Sequence, residues 1–402
     1  MRPLNIVIIA AVDLPEGGGE TTRLKTLASA IKAGGHQVTI FLENPSGNID
    51  EANLKVSGEI DGIPFRYILG NVHPLKGAEF FTGKYKAVKL LLSAIKEMHR
   101  QQPVDVVWLN QMAFHTIYPI TRLATKLGIK TVQSYEDDRS KGPGLKRKII
   151  YTNQVAADKY LTRRADGLVV ISRHLQQKYT QLSGGNVPVI IIPTVLDTGK
   201  WAAGPEKKNN IPTLLYYGAF FGFDEVEKMI EAVSILKKKN TPVQLWLLGY
   251  NRRKPEYMEA LAAMTRQMGL EKEIDFKGFT RHDKLKDYIQ ESNILIGLRK
   301  DDAWSSTGLS TKLSEYLATG RMVICTAIGD NTWYLKDGES AMLMRPGCTA
   351  AELSAVIEMA INDDTMRAAI GAAGRQVAIS NFDMNVVKDN INKLLYSIIT
   401  RK

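Results

Sequence analysis

Along this chain, short runs of apolar, largely β-branched residues alternate with longer segments whose apolar positions recur at helical spacing. The opening LNIVIIAAV leads into a glycine loop, then TRLKTLASAIKAGG, then HQVTIFLE, which predicts strand, helix and strand. The strand pattern returns at VDVVWLN (104–110), KTVQSY (130–135), DGLVVIS (166–172) and VPVIIIP (187–193). Strands that are apolar on both sides and separated by helices predict a parallel sheet covered on both faces. Residues 198–213 are polar, carry Gly, Pro and Lys and lack an apolar period, which predicts a linker. A second alternation follows, from TLLYYGAF through VQLWLLG, IDFKGF, ILIGLRK and MVICTA to AMLMRP, with helical segments between. The final NFDMNVVKDNINKLLYSIITRK predicts an amphipathic helix, or a pair, that covers a core.

The fold class is therefore α/β, with two Rossmann-like, doubly wound parallel-sheet domains over 1–197 and 198–382. Sheets of this kind bind ligands beyond the carboxyl ends of their strands, so the expected site is a cleft that both domains face. A length of 402 residues agrees, because single cores stop growing at about 250 to 300 residues. With 44% apolar and 24% charged residues, the composition excludes wholesale disorder. No apolar run approaches the roughly 18 to 20 residues of a membrane span. Arg2 and the run behind it end at Asp13 without a cleavage site, which predicts a buried strand rather than an export signal. Only Cys325 and Cys348 occur, with neither metal-ligand nor redox spacing, and a reducing cytoplasm fits this best.

Charge is unevenly spread. Through Asp197 there are 25 Lys and Arg against 17 Asp and Glu, a balance of +8, and the remainder carries +3. Such an excess suggests an acidic partner: anionic lipid headgroups, sugar phosphates or nucleic acid. No zinc finger, RRM signature or aromatic-interleaved basic stripe occurs, so nucleic acid is not expected. Gly17, Gly18 and Gly19 stand between the first strand and a helix. Their backbone can approach a phosphate at a positive helix end, or they form no more than a glycine turn. The loop has neither the Walker lysine nor the dinucleotide-binding glycine spacing. The segment WSSTGLSTKLSEYLATGRMVICTAIGDNTWYLKDG (304–338) is more specific, a Ser/Thr/Gly loop running into a helix that bears Glu315.

Taken together, these pieces resemble the GT-B glycosyltransferases of the family 4, or "group 1", type. The resemblance runs along nearly the whole chain: the glycine loop with LASAIKAGGHQVTIF, RRADGLVVIS with IIPTVLDTGKW, then LWLLG, MGLEKEIDFKGFTRHDKLKDYIQESNILIGL and TKLSEYLATGRMVICTAIGDN. It implies a retaining hexosyltransferase that needs no metal and moves a sugar from a nucleotide-sugar to a glycan or lipid-linked acceptor, in cell-surface polysaccharide assembly. It also implies that a C-terminal helix, about 383–402, packs back on the first domain. Asp137-Asp138 and Asp301-Asp302 do not form the Asp-x-Asp of metal-dependent glycosyltransferases.

The resemblance places Glu315 on the ribose hydroxyls of the donor, a role that suits a carboxylate accepting from two vicinal hydroxyls. Backbone N–H groups from Gly308 to Thr311 would face the diphosphate, and Gly18 and Gly19 lie on the same donor side. The sequence also departs from the family. A second glutamate near the donor sugar is replaced by Thr307. The Arg and Lys that neutralise the leaving diphosphate are replaced by Ala219, directly after Gly218, and by Asp224. Arg299, Lys300 and Lys312 flank the same loop and are the candidate replacements, or else solvated surface cations.

On the acceptor side the candidates are Asn110, His115, Glu136 and Asp137. Retention in the family is explained by the leaving phosphate taking the acceptor proton, so no protein base is assigned. Residues 83–100 interleave Lys84, Lys86, Lys89, Lys96 and Arg100 with apolar positions. They form either a basic helix for an anionic membrane surface or a core helix with a charged outer face, and Lys141, Lys146, Arg147 and Lys148 add a basic loop. A cytoplasmic protein, peripheral at the inner membrane face, is the implied setting. The rival readings are a non-catalytic nucleotide-sugar or glycan-binding subunit, for which the lost Arg/Lys clamp argues, and a GT-B epimerase.

Overall fold

The structure is a computed structural model that describes residues 2–401 apart from 46–52, 76, 78, 137–150, 153, 154, 157, 207–209, 221, 252, 253, 281 and 303–307. The chain divides into two compact units, one of residues 1–195 with 384–402, the other of residues 196–383.

The first unit holds β1 (Asn5–Ala10), β2 (Gln37–Leu42), β3 (Ser57–Ile60), β4 (Ile63–Tyr67), β5 (Val106–Asn110), β6 (Lys130–Tyr135), β7 (Gly167–Val170) and β8 (Val189–Ile191). They form one sheet in the order β3-β4-β2-β1-β5-β6-β7-β8, parallel except for the β3–β4 pair. Alternation along the strands divides the core. Ile6, Ile8, Trp108 and Val132 pack with Leu24, Leu27 and Ile31 of the helix Gly19–Ala33 and with Ile391 and Leu394 of the helix Met384–Thr400. Val7, Ile9, Val107 and Leu109 face the other way, onto Leu91 and Ile95 of the helix Glu79–Gln101 and Ile117 and Ile120 of the helix Phe114–Leu127. The β3–β4 hairpin was not among the predicted strands. It turns at Asp61 and Gly62, both with positive φ (50° and 67°), a turn for which Asp-Gly is well suited.

The second unit holds β9 (Thr213–Tyr217), β10 (Gln244–Leu248), β11 (Ile274–Gly278), β12 (Ile294–Gly297), β13 (Met322–Thr326) and β14 (Met342–Met344), all parallel, in the order β11-β10-β9-β12-β13-β14. One face carries the helices Val226–Lys238 and Ala350–Asn362, the other Thr311–Thr319 and Asp364–Phe382. Both cysteines are free and buried in this unit. Among the described residues no helix is long and apolar enough to cross a membrane.

The helix Glu79–Gln101 has a core face and a charged outer face. Ala87, Val88, Leu91, Ala94 and Ile95 are core, whereas Lys86, Lys89, Lys96 and Arg100 are exposed, as are Phe80, Phe81 and Tyr85 at its start. Lys84 departs from the expected outward basic face and turns inward to a buried carboxylate of the same unit.

Candidate functional site

In the second unit, the carboxyl ends of β9 and β12 and the start of the helix Thr311–Thr319 gather one cluster of polar side chains. Tyr316 ties the helix to β9, because its hydroxyl accepts from the backbone N–H of Tyr217 at 2.8 Å. Beyond β12, the N–H of Arg299 donates to Thr326 Oγ1 (2.9 Å) and that of Lys300 to the carbonyl of Phe223 (2.8 Å). These bonds hold the 218–225 loop against the strand end.

Lys312 projects into that loop. Its Nζ donates to Asp224 Oδ1 at 2.9 Å and to the Tyr216 hydroxyl at 3.3 Å, and it stands 4.7 Å from the centre of the Tyr216 ring. Tyr216 in turn donates to Asp224 Oδ2 at 2.8 Å. Gly218 makes room, since a Cβ there would lie 2.6 Å from the ammonium and 2.4 Å from the tyrosine oxygen. Burial lowers the pKa of Lys312, the charge of Asp224 opposes this, and the nearby Arg299 adds to the lowering. The Asp224 side chain is fully buried and that of Lys312 is 24% exposed, so one edge of the ammonium remains open. Asp224, which the sequence resemblance puts in place of a lysine, is thus the counter-ion of the lysine expected to replace it. The Arg299 guanidinium stacks 4.6 Å from the Phe223 ring, and its buried Nε has no hydrogen-bond partner among the described residues. Lys300 is exposed.

Glu315, one turn after Lys312, is only 6% exposed. Among the described residues no hydrogen bond or ion pair reaches its carboxylate. Burial pushes its pKa up to about 8. A buried carboxylate without a partner is costly, and such groups concentrate where a ligand supplies the missing donors. Ser310 starts the helix without a side-chain cap, and Gly308 precedes it. Thr307 lies outside the described residues.

In the first unit, the glycine loop closes on itself. Thr21 Oγ1 donates to the carbonyl of Asp13 (2.7 Å), and a Cβ on Gly17 would lie 2.0 Å from that hydroxyl. Gly18 and Gly19 instead face open space at a helix start without a side-chain cap. The acceptor-side candidates fall into two groups. Glu136, just after β6, is buried, with its Oε1 3.0 Å from Nε of Arg23, whose two Nη groups hold the carbonyls of Ile192 and Pro193. Asn110 ends β5 two residues beyond Trp108, whose indole N–H donates to Ser134, so by strand alternation Asn110 and Glu136 share that sheet face. Asn110 is 4% exposed, and among the described residues its Oδ1 has no hydrogen-bond partner.

His115 belongs to the other group. Its Nε2 lies 3.5 Å from Oε1 of Glu43, which also accepts from Thr116 Oγ1 (3.0 Å) and whose Oε2 lies 3.1 Å from Lys84 Nζ. Glu43 is 1% exposed while His115 is half exposed, so a buried carboxylate backs an accessible imidazole. Burial raises the pKa of Glu43, but the hydrogen bond to His115 and the charge of Lys84 outweigh it and the net shift is downward. Asp137, Lys141, Lys146, Arg147 and Lys148 lie outside the described residues. Sequence reading missed Arg23 and Glu43, each of which looks in sequence like an ordinary surface charge, and it named Asp224 as a departure from the clamp without its pairing to Lys312.

Residues 18–194 match the family described as Glycosyl transferase 4-like domain, and residues 197–377 match Glycosyl transferases group 1. The chain belongs to the group 1 glycosyltransferases of GT-B fold. No curated protein matches the sequence. Among solved structures, HepE of Anabaena in complex with UDP is 17% identical with a TM-score of 0.71, covering 98% of this chain and 100% of its own. A glycosyltransferase of Rickettsia africae is also 17% identical, with a TM-score of 0.73 over 99% of this chain and 100% of its own. Sucrose-phosphate synthase of Thermosynechococcus elongatus is 16% identical, with a TM-score of 0.71 over 98% and 99%.

Proposed function

We propose that the protein is a retaining hexosyltransferase that moves a sugar from a nucleotide-sugar to a glycan or lipid-linked acceptor in the assembly of cell-surface polysaccharide. The observation that carries this reading is Glu315, a buried carboxylate without a partner, one helical turn from Lys312. The two vicinal hydroxyls of a ribose supply the donors it lacks. Lys312 and Arg299, with the backbone N–H groups at the helix start, take the diphosphate. In the transfer, the acceptor oxygen bonds to the anomeric carbon, the bond from that carbon to the phosphate oxygen breaks, and the departing phosphate receives the acceptor's proton on the same face. No side chain serves as base, and no divalent cation takes part.

The acceptor is handled by Asn110 and Glu136 on one face of the first unit's sheet and by His115 on the other. HepE has been solved with UDP, with UDP and glucose, and with UDP-glucose, which supports a UDP-sugar as donor. WaaG, a structural neighbour involved in lipopolysaccharide biosynthesis, supports the cell-surface setting. The exposed Phe81 and Tyr85, with Lys86 and Lys89, support a peripheral site on anionic membrane at the cytoplasmic face. Sedimentation with vesicles containing anionic lipid tests this, and equal sedimentation with neutral vesicles would dismiss it.

The central test is calorimetric titration with UDP-, GDP- and ADP-sugars, with Glu315→Ala as control. One nucleotide class binding to the wild type and lost in the variant is the expected result. Binding that survives the substitution would remove Glu315 from the ribose. Binding without turnover across a range of acceptors would favour the non-catalytic subunit, for which the pairing of Lys312 with Asp224 is the specific observation.

A further inference from the structure

The cation best placed for the leaving diphosphate already has an anion. Lys312 donates to Asp224 at 2.9 Å, and that carboxylate is fully buried and further fixed by the hydroxyl of Tyr216 at 2.8 Å. An ammonium offers three N–H donors. Asp224 and the Tyr216 oxygen take two of them, which leaves one for a ligand on the open side. The lysine and aspartate together carry no net charge, so among the described residues Arg299, rather than this lysine, offers an incoming diphosphate its charge. The bare backbone of Gly218 is what lets the ammonium seat there, because any side chain at that position would displace it.

We infer that Asp224 is a positioning residue that sets the affinity for nucleoside diphosphate by competing with it for Lys312, and so keeps the product's hold on the enzyme weak. The inference rests on the nucleotide-sugar reading above. It concerns the diphosphate, the part of the donor that the reading above assigns to Lys312.

The test compares UDP with uridine, because the ratio of their affinities isolates the diphosphate and cancels whatever Glu315 does to the ribose. Calorimetry on the full-length chain is expected to show UDP binding about tenfold tighter in Asp224→Asn, with uridine unchanged. Lys312→Met should lose most of the advantage of UDP over uridine, alone or combined with Asp224→Asn. Asp224→Ser provides a second variant. It removes the same negative charge with a smaller side chain, and UDP should again bind tighter at unchanged uridine affinity.

Were Asp224→Asn to leave the UDP-to-uridine ratio unchanged, or lower it, competition for Lys312 would be overturned. Should Asp224→Asn not fold, an unchanged or lower ratio in Asp224→Ser would overturn it equally. A wild-type protein that binds neither UDP nor uridine refutes the nucleotide-sugar reading itself. A failure confined to the variants refutes only the role of Asp224.

Discussion

Gly249 lies so close to Gly218 that a Cβ on the first would sit 1.8 Å from the carbonyl oxygen of the second. Gly249 also holds φ at +121°, where side chains are strained even in open space. The carboxyl ends of β9 and β10 can therefore come together only on a residue without a side chain. Gly249→Ala should destabilise the protein by about 3 kcal/mol or more. Gly269→Ala, at φ +63° with nothing within 4 Å, should lose only about 1 kcal/mol. Urea unfolding of the two variants checks the contrast, and equal losses would mean that strain rather than the close approach governs both.

The ion pair of Lys312 and Asp224 is unequal in its exposure, and its two halves should respond unequally to removal. Lys312→Ala leaves a fully buried carboxylate without its counter-ion, a situation that typically costs about 3 to 5 kcal/mol. Asp224→Asn leaves a lysine that still reaches water at one edge, and should cost roughly half as much. Chemical denaturation of both single variants tests the order, and a larger loss in Asp224→Asn would reverse the assignment of which charge is trapped.

Glu315 makes the stability of the ligand-free protein depend on pH in a defined direction. Its pKa is about 8 in the fold, against 4.5 for a free glutamate. The folded state thus holds the proton more tightly, so this group's contribution is fully present below pH 4.5 and is lost as pH rises through about 8. The slope within the window is at most about 1.4 kcal/mol per pH unit. In Glu315→Gln the decline between pH 5 and 8 should flatten, as thermal unfolding across buffers would show. If ribose hydroxyls donate to the ionised form, nucleotide binding near pH 7 should also release a proton, visible as a dependence of the binding enthalpy on the buffer.

On the acceptor side, Lys84 supports the carboxylate that faces His115. Lys84→Met should raise the KM for acceptor several-fold while leaving the Kd for UDP unchanged. A change confined to UDP binding would place Lys84 with the donor instead.

Transfer should also proceed undiminished in excess EDTA. Loss of turnover that Mg²⁺ or Mn²⁺ restores would contradict a cation-free reaction.

The parallel strands were legible because both of their faces are buried. The runs within LNIVIIAAV and DGLVVIS are buried along their length, as are those in VDVVWLN and MVICTA, and short unbroken apolar runs of this kind mark such strands. The β3–β4 hairpin at the sheet edge was harder to see. Its strands SGEI and IPFRY alternate exposed with buried residues, and only the Asp61-Gly62 turn betrays them. Glu315 stood out through family resemblance alone, since a buried glutamate and a solvated one look the same in a helix. The partners of charged residues were illegible for a simple reason of distance along the chain. Asp224 and Lys312 are 88 residues apart, and Thr116 donates to Glu43 across 73. Lys84 was misread as surface for the same reason, its inward turn being dictated by a carboxylate on another element.

The helix Met384–Thr400 belongs to the first unit although its sequence follows all of the second. It lays Leu394 against Gly167, where a Cβ would come within 3.1 Å of the leucine, and its Asn392 meets His36 Nε2 at 2.8 Å. Its five buried apolar side chains contribute about 1.5 to 3 kcal/mol each, comparable in sum to the whole stability of a typical domain. On the ribosome, therefore, the segment made first has to wait. The second unit can finish folding from contiguous chain, while the first keeps an uncovered patch of sheet that invites chaperones until its closing helix has been synthesised.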